Sequence, residues 1–438
     1  MPQRRLLPTL LPLCCSLACA SAGHLAEDAT DYYTPAVIRY ADHVYDPLVR
    51  TVQLYKLGFE LSAPILELGS TDQLELRFDD LRPTTQSLSY TLEHCNADWT
   101  PSDLAKGQYI VGGFTDLIAA PRQSYNTYQN FFHYSVTVPN AMMRPTLSGN
   151  YILKVFRDGD EEDLVLTRRF LVAEQRVAIQ ARVVASRDVA VRDIAHQIDL
   201  TIRHSGITVA DPFSDLKVVV LQNMNWNDAR SGLKPKFIRN DELIYDHPPE
   251  AQFLAGNEFR NFDLKDLRFP TVNVSSITTG PELMEALLAL NPARHIRVYL
   301  EQPDINGRFL VRNDYVDGDP LGADYVNVTF SLPLDAPVAN AEVYALGGFT
   351  NFECRKELRM QWMPNERRYM LRAPLKQGFY DYVFAVLPNG ADKPDLTTLE
   401  GSHFQTENDY VVLVYLRDFA QRCDKLVGVK FLNSRRDG

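Results

Sequence analysis

Apolar and polar residues alternate one by one through much of this chain, and that period leaves few ways to fold it. Leu74-Glu75-Leu76-Arg77-Phe78, Tyr134-Ser135-Val136-Thr137-Val138, Ile198-Asp199-Leu200-Thr201-Ile202 and Val326-Asn327-Val328-Thr329-Phe330 all repeat every second residue. Side chains on a strand point to opposite faces in turn, so this pattern marks strands with one wet face. Lys217-Val218-Val219-Val220-Leu221 and Val411-Val412-Leu413-Val414-Tyr415 are continuous apolar runs, suited to central strands. Turn dipeptides separate the runs: Asp158-Gly159, Asn306-Gly307, Asp317-Gly318 and Asn389-Gly390. One segment breaks the pattern. Glu282 to Leu290, led by Pro281 and carrying Leu283, Leu287 and Leu288, reads as a helix. The expected class is all-β: tandem Ig-like or E-set-like β-sandwich domains with few short helices.

A chain of 438 residues is too long for one small core, and the prior is about three domains. Residues 1–22 read as an export signal. Arg4 and Arg5 precede a leucine-rich stretch, and Ala20-Ser21-Ala22 is a small-x-small cleavage site. Cleavage before Cys19 with lipidation is the rival, disfavoured by Ser16 where a larger aliphatic residue is wanted. Two boundaries follow, one after Phe170-Leu171-Val172 and one in the acidic Gly/Pro segment from Asp317 to Asp324. They give an N-terminal sandwich at 23–173, a middle sandwich at 174–322 and a C-terminal Ig-like domain at 323–438. No later segment approaches about 18 consecutive apolar residues, so no membrane span is expected.

The formal net charge of -11 supplies no overall field for nucleic acid or anionic lipid. Beyond the leader the cysteines are Cys95, Cys354 and Cys423; Cys354 and Cys423 are candidates to pair, and one thiol is left over. Nucleotide-binding glycine loops, zinc-protease and serine-hydrolase motifs are missing, so neither cofactor nor metal is expected. A hydrolase with a carboxylate pair in the polar 226–270 stretch is the remaining enzymatic reading. Asp314, Asp317, Asp319 and Asp324 lack the EF-hand spacing and read as a solvated linker.

His94-Cys95-Asn96-Ala97-Asp98-Trp99 concentrates reactive residue types. On a strand His94 and Cys95 face opposite sides and cannot easily share one ion. The structural alternative is a strand end: Cys95 buried, Asn96 and Asp98 capping a turn, Trp99 anchoring it. Further along, Gly347-Gly348-Phe349-Thr350-Asn351-Phe352 and Gln377-Gly378-Phe379-Tyr380-Asp381-Tyr382 resemble the starch-binding Ig-like modules of amylase-type enzymes. Those modules stack sugars on exposed tryptophans, which makes a periplasmic or surface carbohydrate-binding protein the alternative function. The third domain has one tryptophan, Trp362, and packing of these aromatics into the sandwich core is the competing reading.

Three sets of segments together carry a wider resemblance. The first is Tyr90 through Trp99, Ser124-Tyr125-Asn126-Thr127 and Leu147-Ser148-Gly149-Asn150-Tyr151. The second is Leu221-Gln222-Asn223 with Trp226, Gly256-Asn257-Glu258-Phe259-Arg260-Asn261-Phe262-Asp263 and Asp304-Ile305-Asn306-Gly307. The third is Phe404-Gln405-Thr406-Glu407-Asn408, Val412 to Tyr415 and Asp424 to Gly428. In order and over nearly the whole chain they resemble the plug-protein family of the type IX secretion system. The resemblance implies a non-enzymatic, monomeric periplasmic protein. Its partner would be the very large outer-membrane translocon β-barrel, whose periplasmic opening it occludes; secreted substrates or other secretion components are further possible partners. It carries over no catalytic residue or cofactor. His94, Cys95, Asn96, Asp98, Trp99, Asn257, Glu258, Arg260, Asp263, Asn306, Gly307, Glu407 and Asn408 stand as motif residues of structural or interface role.

Overall fold

In the computed structural model of the chain, residues 30–33, 38–316 and 318–437 are described. The export signal at 1–22, with Cys19, lies outside them, as does Asp317. The architecture is all-β, with a handful of one-turn helices.

In the first sandwich, one sheet orders Val49–Lys56, Leu74–Asp80, Phe132–Val138 and Arg122–Gln123. The other orders His43–Val44, Leu164–Ala173, Gly149–Arg157, Leu88–Cys95 and Asp116–Leu117. Leu76, Phe78 and Tyr134 of the former meet Tyr90, Tyr151 and Leu153 of the latter in one core, as the alternation requires.

The second sandwich faces Ala178–Ala185, Ala195–Arg203, Glu242–Tyr245 and Phe237–Arg239 against Leu216–Gln222, Asp409–Asp418 and Cys423–Asn433. Its core joins Ile198, Leu200 and Val218 to Val412 and Val414. The third lies wholly between these strands in sequence. Met284–Leu288, Tyr325–Pro333 and Arg368–Lys376 cover a core shared with Arg260–Asp263, Ala341–Leu346 and Gly378–Pro388. Strand pairing therefore crosses the linear division at 322/323. Leu216 to Gln222 pair with Leu416 to Tyr410, and Met284 pairs with Val326. The third sandwich is an insertion into the second. The acidic segment near Asp324 is a loop inside the inserted unit, buried where it meets the first sandwich: polar composition marks a loop without saying whether it joins domains or strands.

The segment expected as a helix is the strand Met284–Leu288, antiparallel to Val274–Thr279 and parallel to Tyr325–Pro333. Ala286 and Leu288 enter the core, while Leu287 is exposed and Glu285 bonds Arg372. Two flanking strands offering backbone partners outweigh the modest helix propensity of a short run.

Continuous apolar runs have a specific cause here. In Leu216–Gln222, Val218 and Val220 enter the second core, while Val219 and Leu221 enter a further apolar layer. That layer also receives Ile152, Leu171 and Cys95 from the first sandwich. Both sheets are buried on both faces because the two sandwiches stack. Leu216–Gln222 is an edge strand, so double-sided burial rather than centrality explains its run. The 226–270 stretch is ordered, contributing Phe237–Arg239, Glu242–Tyr245, Gln252–Leu254 and Arg260–Asp263 to sheets.

Candidate functional site

The motif residues gather mainly where the three sandwiches meet. At the first junction His94 and Cys95 do face opposite ways. Cys95 is buried in the layer between sandwiches one and two. His94 points into the first sandwich, against Tyr151 at 5.1 Å, with its ring nitrogens on Ser102 Oγ (3.0 Å) and the Ser148 carbonyl (3.2 Å). Burial pushes its pKa down to about 4, so the ring is neutral. Burial pushes the Cys95 thiol well up. The pair is inert, not a ligand set.

Asn96 to Thr100 form the expected capped turn. The Thr100 N–H donates to Asp98 Oδ1 (3.0 Å), and Asn96 Nδ2 donates to Thr100 Oγ1 (3.2 Å). Trp99 sits at φ 67°, a left-handed conformation that a bulky residue keeps only where its surroundings hold it. Its ring packs edge-on to Trp226 at 4.9 Å, and the Arg169 guanidinium lies over both. Asp424 of the second sandwich is fully buried. It accepts from the Ala97 N–H (3.0 Å), Lys217 Nζ (2.8 Å) and Arg417 Nη1 (3.4 Å). Tyr415 donates to Asn150 Oδ1 (2.7 Å), and Asn150 Nδ2 donates to the Asn96 carbonyl (3.0 Å). Gly149, at φ 148°, lets the chain pass the His94 ring, where a Cβ would collide.

At the second junction the chain leaves the second sandwich and returns. Asn408 Nδ2 donates to the Ala255 carbonyl (2.8 Å), and Asn408 Oδ1 accepts from Asn223 (2.7 Å). Asn257 Nδ2 donates to the Glu400 carbonyl (2.8 Å). Glu258, almost fully buried, accepts from Tyr299, from Arg435 Nη2 (3.2 Å) and from the Glu407 N–H (3.2 Å). Glu407 in turn accepts from Asn433 (2.8 Å). Burial pushes Glu258 upward. Inside the insertion, Arg260 and Arg294 clamp the buried Glu400, both at 2.8 Å. Burial opposes ionisation of Glu400, but the two arginines outweigh it and hold its carboxyl below the usual range. Asp263 stands apart, capping a local turn through the Lys265 N–H (2.9 Å).

Asn306 and Gly307, both left-handed, carry a tight turn in which a Cβ on Gly307 would meet the rings of Phe259 and Phe352. Asp381, fully buried, accepts the N–H groups of Ile305 (2.7 Å) and Gly307 (3.0 Å). Burial, reinforced by Asp304, pushes the Asp381 carboxyl up to about 8. The adjacent Arg308 links all three units. Nη1 donates to the Leu61 carbonyl of the first sandwich (2.8 Å), and Nη2 to Asp409 of the second (2.6 Å).

Sequence reading missed the third junction, between the first sandwich and the insertion. Asp79 accepts from Lys376 Nζ (2.5 Å), His133 Nδ1 (2.6 Å) and Tyr325 OH (2.8 Å), and Lys376 is 1% exposed. Burial pushes Asp79 up, but Lys376 and His133 outweigh it, so the carboxyl stays below its ordinary range. Asp324 accepts the N–H groups of Tyr128 (2.6 Å) and Gln129 (3.1 Å) from the first sandwich. A lysine at the end of an alternating strand looks solvent-facing in sequence, and nothing local announces its distant partner.

The remaining candidates disperse. Asp314 pairs with Arg312 and Lys265, and Asp319 with Arg122. Phe352 is buried against Phe259, and Trp362 is half-buried against Tyr369, so these aromatics pack the inserted unit. Cys95, Cys354 and Cys423 are all free; Cys354 belongs to the insertion and Cys423 lies in the first sandwich's core, so they do not pair.

Residues 49–174 match the family model of the type 9 secretion system plug protein 1st domain. The crystal structure of a hypothetical protein from Parabacteroides merdae superposes with a TM-score of 0.86 at 28% identity, over 91% of this chain and 100% of that one. A trypsin-activated α2-macroglobulin from Escherichia coli aligns with a TM-score of only 0.16 at 8% identity, over 87% of this chain and 28% of that one, too remote to bear on the fold. No curated protein matches. The matched segment is the first sandwich with its Asn96–Trp99 turn, and over that domain the chain is similar to the type IX secretion system plug proteins.

Proposed function

We propose that the protein is a non-enzymatic periplasmic plug that binds the large outer-membrane translocon barrel of the type IX secretion system and occludes its periplasmic opening. The family match over residues 49–174 carries this reading. The architecture suits it. Blocking a wide pore needs bulk and stiffness rather than chemistry, and three sandwiches joined by buried polar contacts supply both. No helix among the described residues is long and apolar enough to cross a membrane, so attachment through a partner fits. A contact that must release favours a moderate, polar-rimmed interface.

The test is a pull-down from detergent-solubilised outer membranes of the native host, with a tag at the C-terminus. Recovery of one very large β-barrel protein is expected. Isolation of this chain alone, with the barrel present in the extract, overturns the reading.

A further inference from the structure

At the rim of the layer between the first and second sandwiches lies a cavity of about 540 Å³. Trp99, Trp226 and Phe213 supply its aromatic wall, and Arg169, Lys217 and Lys234 its charge. The volume suits a compact organic group. Three features of this wall call for an anion. The indole N–H of Trp99, a residue only 8% exposed, has no acceptor. Arg169 side-chain N–H groups reach only the Tyr40 carbonyl, and Lys234 Nζ only the Phe213 carbonyl; among the described residues neither meets a carboxylate at ion-pair distance. Burial holds Arg169 below its ordinary range even though Asp42 and Glu353 offset part of that cost.

The local charge also runs against the molecule. Asp98 is the one acidic residue of the wall and is occupied by Thr100, while Lys217 shares Asp424 with Arg417. The chain as a whole carries -11. A basic aromatic recess on an acidic protein selects an anionic apolar ligand, and the charge of the whole disfavours a second copy of the same chain.

We propose that this recess binds an acidic peptide segment of a partner protein, in which an aromatic or aliphatic side chain fills the tryptophan-lined wall and a neighbouring Asp or Glu carboxylate meets Arg169, Lys234 and the Trp99 indole N–H. The inference does not depend on the plug reading, since it concerns a pocket rather than the face that meets a barrel.

Two of the three tryptophans line the recess, so fluorescence reports on it directly once Trp362 is replaced. In a Trp362→Phe background, acetyl-Phe-Glu-amide is titrated against acetyl-Phe-Gln-amide and acetyl-Ala-Glu-amide. Saturable change is expected with Phe-Glu, and weaker binding of the other two by about tenfold or more. Lys234 is exposed, so Lys234→Gln is expected to keep the fold, checked by an unchanged circular dichroism spectrum, and to weaken Phe-Glu several-fold while leaving Phe-Gln unchanged. Equal binding of the Glu and Gln peptides overturns the proposal, as does an unchanged spectrum up to millimolar Phe-Glu.

Discussion

The first sandwich is held to the rest of the molecule in two chemically different ways. Against the second sandwich it presents an apolar layer, with Ile152, Leu171, Val219 and Leu413 in contact and a ring of hydrogen bonds around Asp424. Against the insertion it presents a buried ion pair, Asp79 with Lys376, braced by His133 and Tyr325. The apolar junction gains from area and tolerates imperfect geometry. The ionic junction gains little net stability over an apolar replacement, but it penalises any arrangement in which the two partners do not meet. One seam supplies adhesion; the other fixes how the insertion sits.

Breaking the ionic seam on one side should do the most damage. Lys376→Met leaves Asp79 buried without its cation and is expected to cost about 3–5 kcal/mol in urea unfolding. The double change with Asp79→Leu should recover most of that loss; failure to recover would mean that the lysine acts through packing alone. Leu413→Ala opens the apolar seam and should cost about 2–4 kcal/mol. Its cost should not vary between pH 5 and pH 8, whereas a pH-dependent loss would erase the distinction between the seams.

Asp381 sharpens the comparison from the opposite sign. Its folded pKa is raised from 3.8 to about 8, so the folded state holds a proton that the unfolded chain has released. That contribution is complete below about pH 4 and lost as pH rises to about 8, with a slope of at most about 1.4 kcal/mol per pH unit. Asp381→Asn should flatten the slope, measured by thermal unfolding across that window. Asp79, with its carboxyl held low, works the other way: its contribution fades as pH falls through its folded pKa. The smallest effect belongs to Arg308→Met. Its pair with Asp409 is about one-third exposed on each side, and screening limits the loss to roughly 1 kcal/mol or less. A loss comparable to that of Lys376→Met would make this three-way link a principal support.

Strand content and sandwich class were legible because a half-buried strand writes its two faces into alternating residues. The stacking of two sandwiches was legible only in retrospect, as the runs at Val218 and Val412 that fill two cores at once. The insertion was not, since nothing in Leu216–Gln222 specifies that its partner is Asp409–Asp418 nearly two hundred positions away. Met284–Leu288 misled for a related reason: a leucine-rich run is compatible with a helix until neighbouring strands claim its backbone. At the junctions, Asn96, Asp98 and Trp99 announced a turn through residue type, whereas Asn257, Glu258, Glu407 and Asn408 were marked only through the family resemblance. Asp79, Asp424 and Lys376 did not, because a buried charge and a surface charge look alike until the fold brings a partner to one of them.

The nested arrangement also sets an order in time. The second sandwich begins at Ala178–Ala185 but lacks two of the three strands of its second sheet until Asp409–Asp418 and Cys423–Asn433 have been made. The first and inserted units can close as they are made; the unit between them must wait, its early strands holding an unpaired edge. Those same two last strands supply Leu413, Tyr415, Asp424 and Leu426 to the seam with the first sandwich. A chain cut short before position 409 would therefore lose its middle and the apolar seam together, leaving the Asp79–Lys376 contact to hold the first and inserted units to each other.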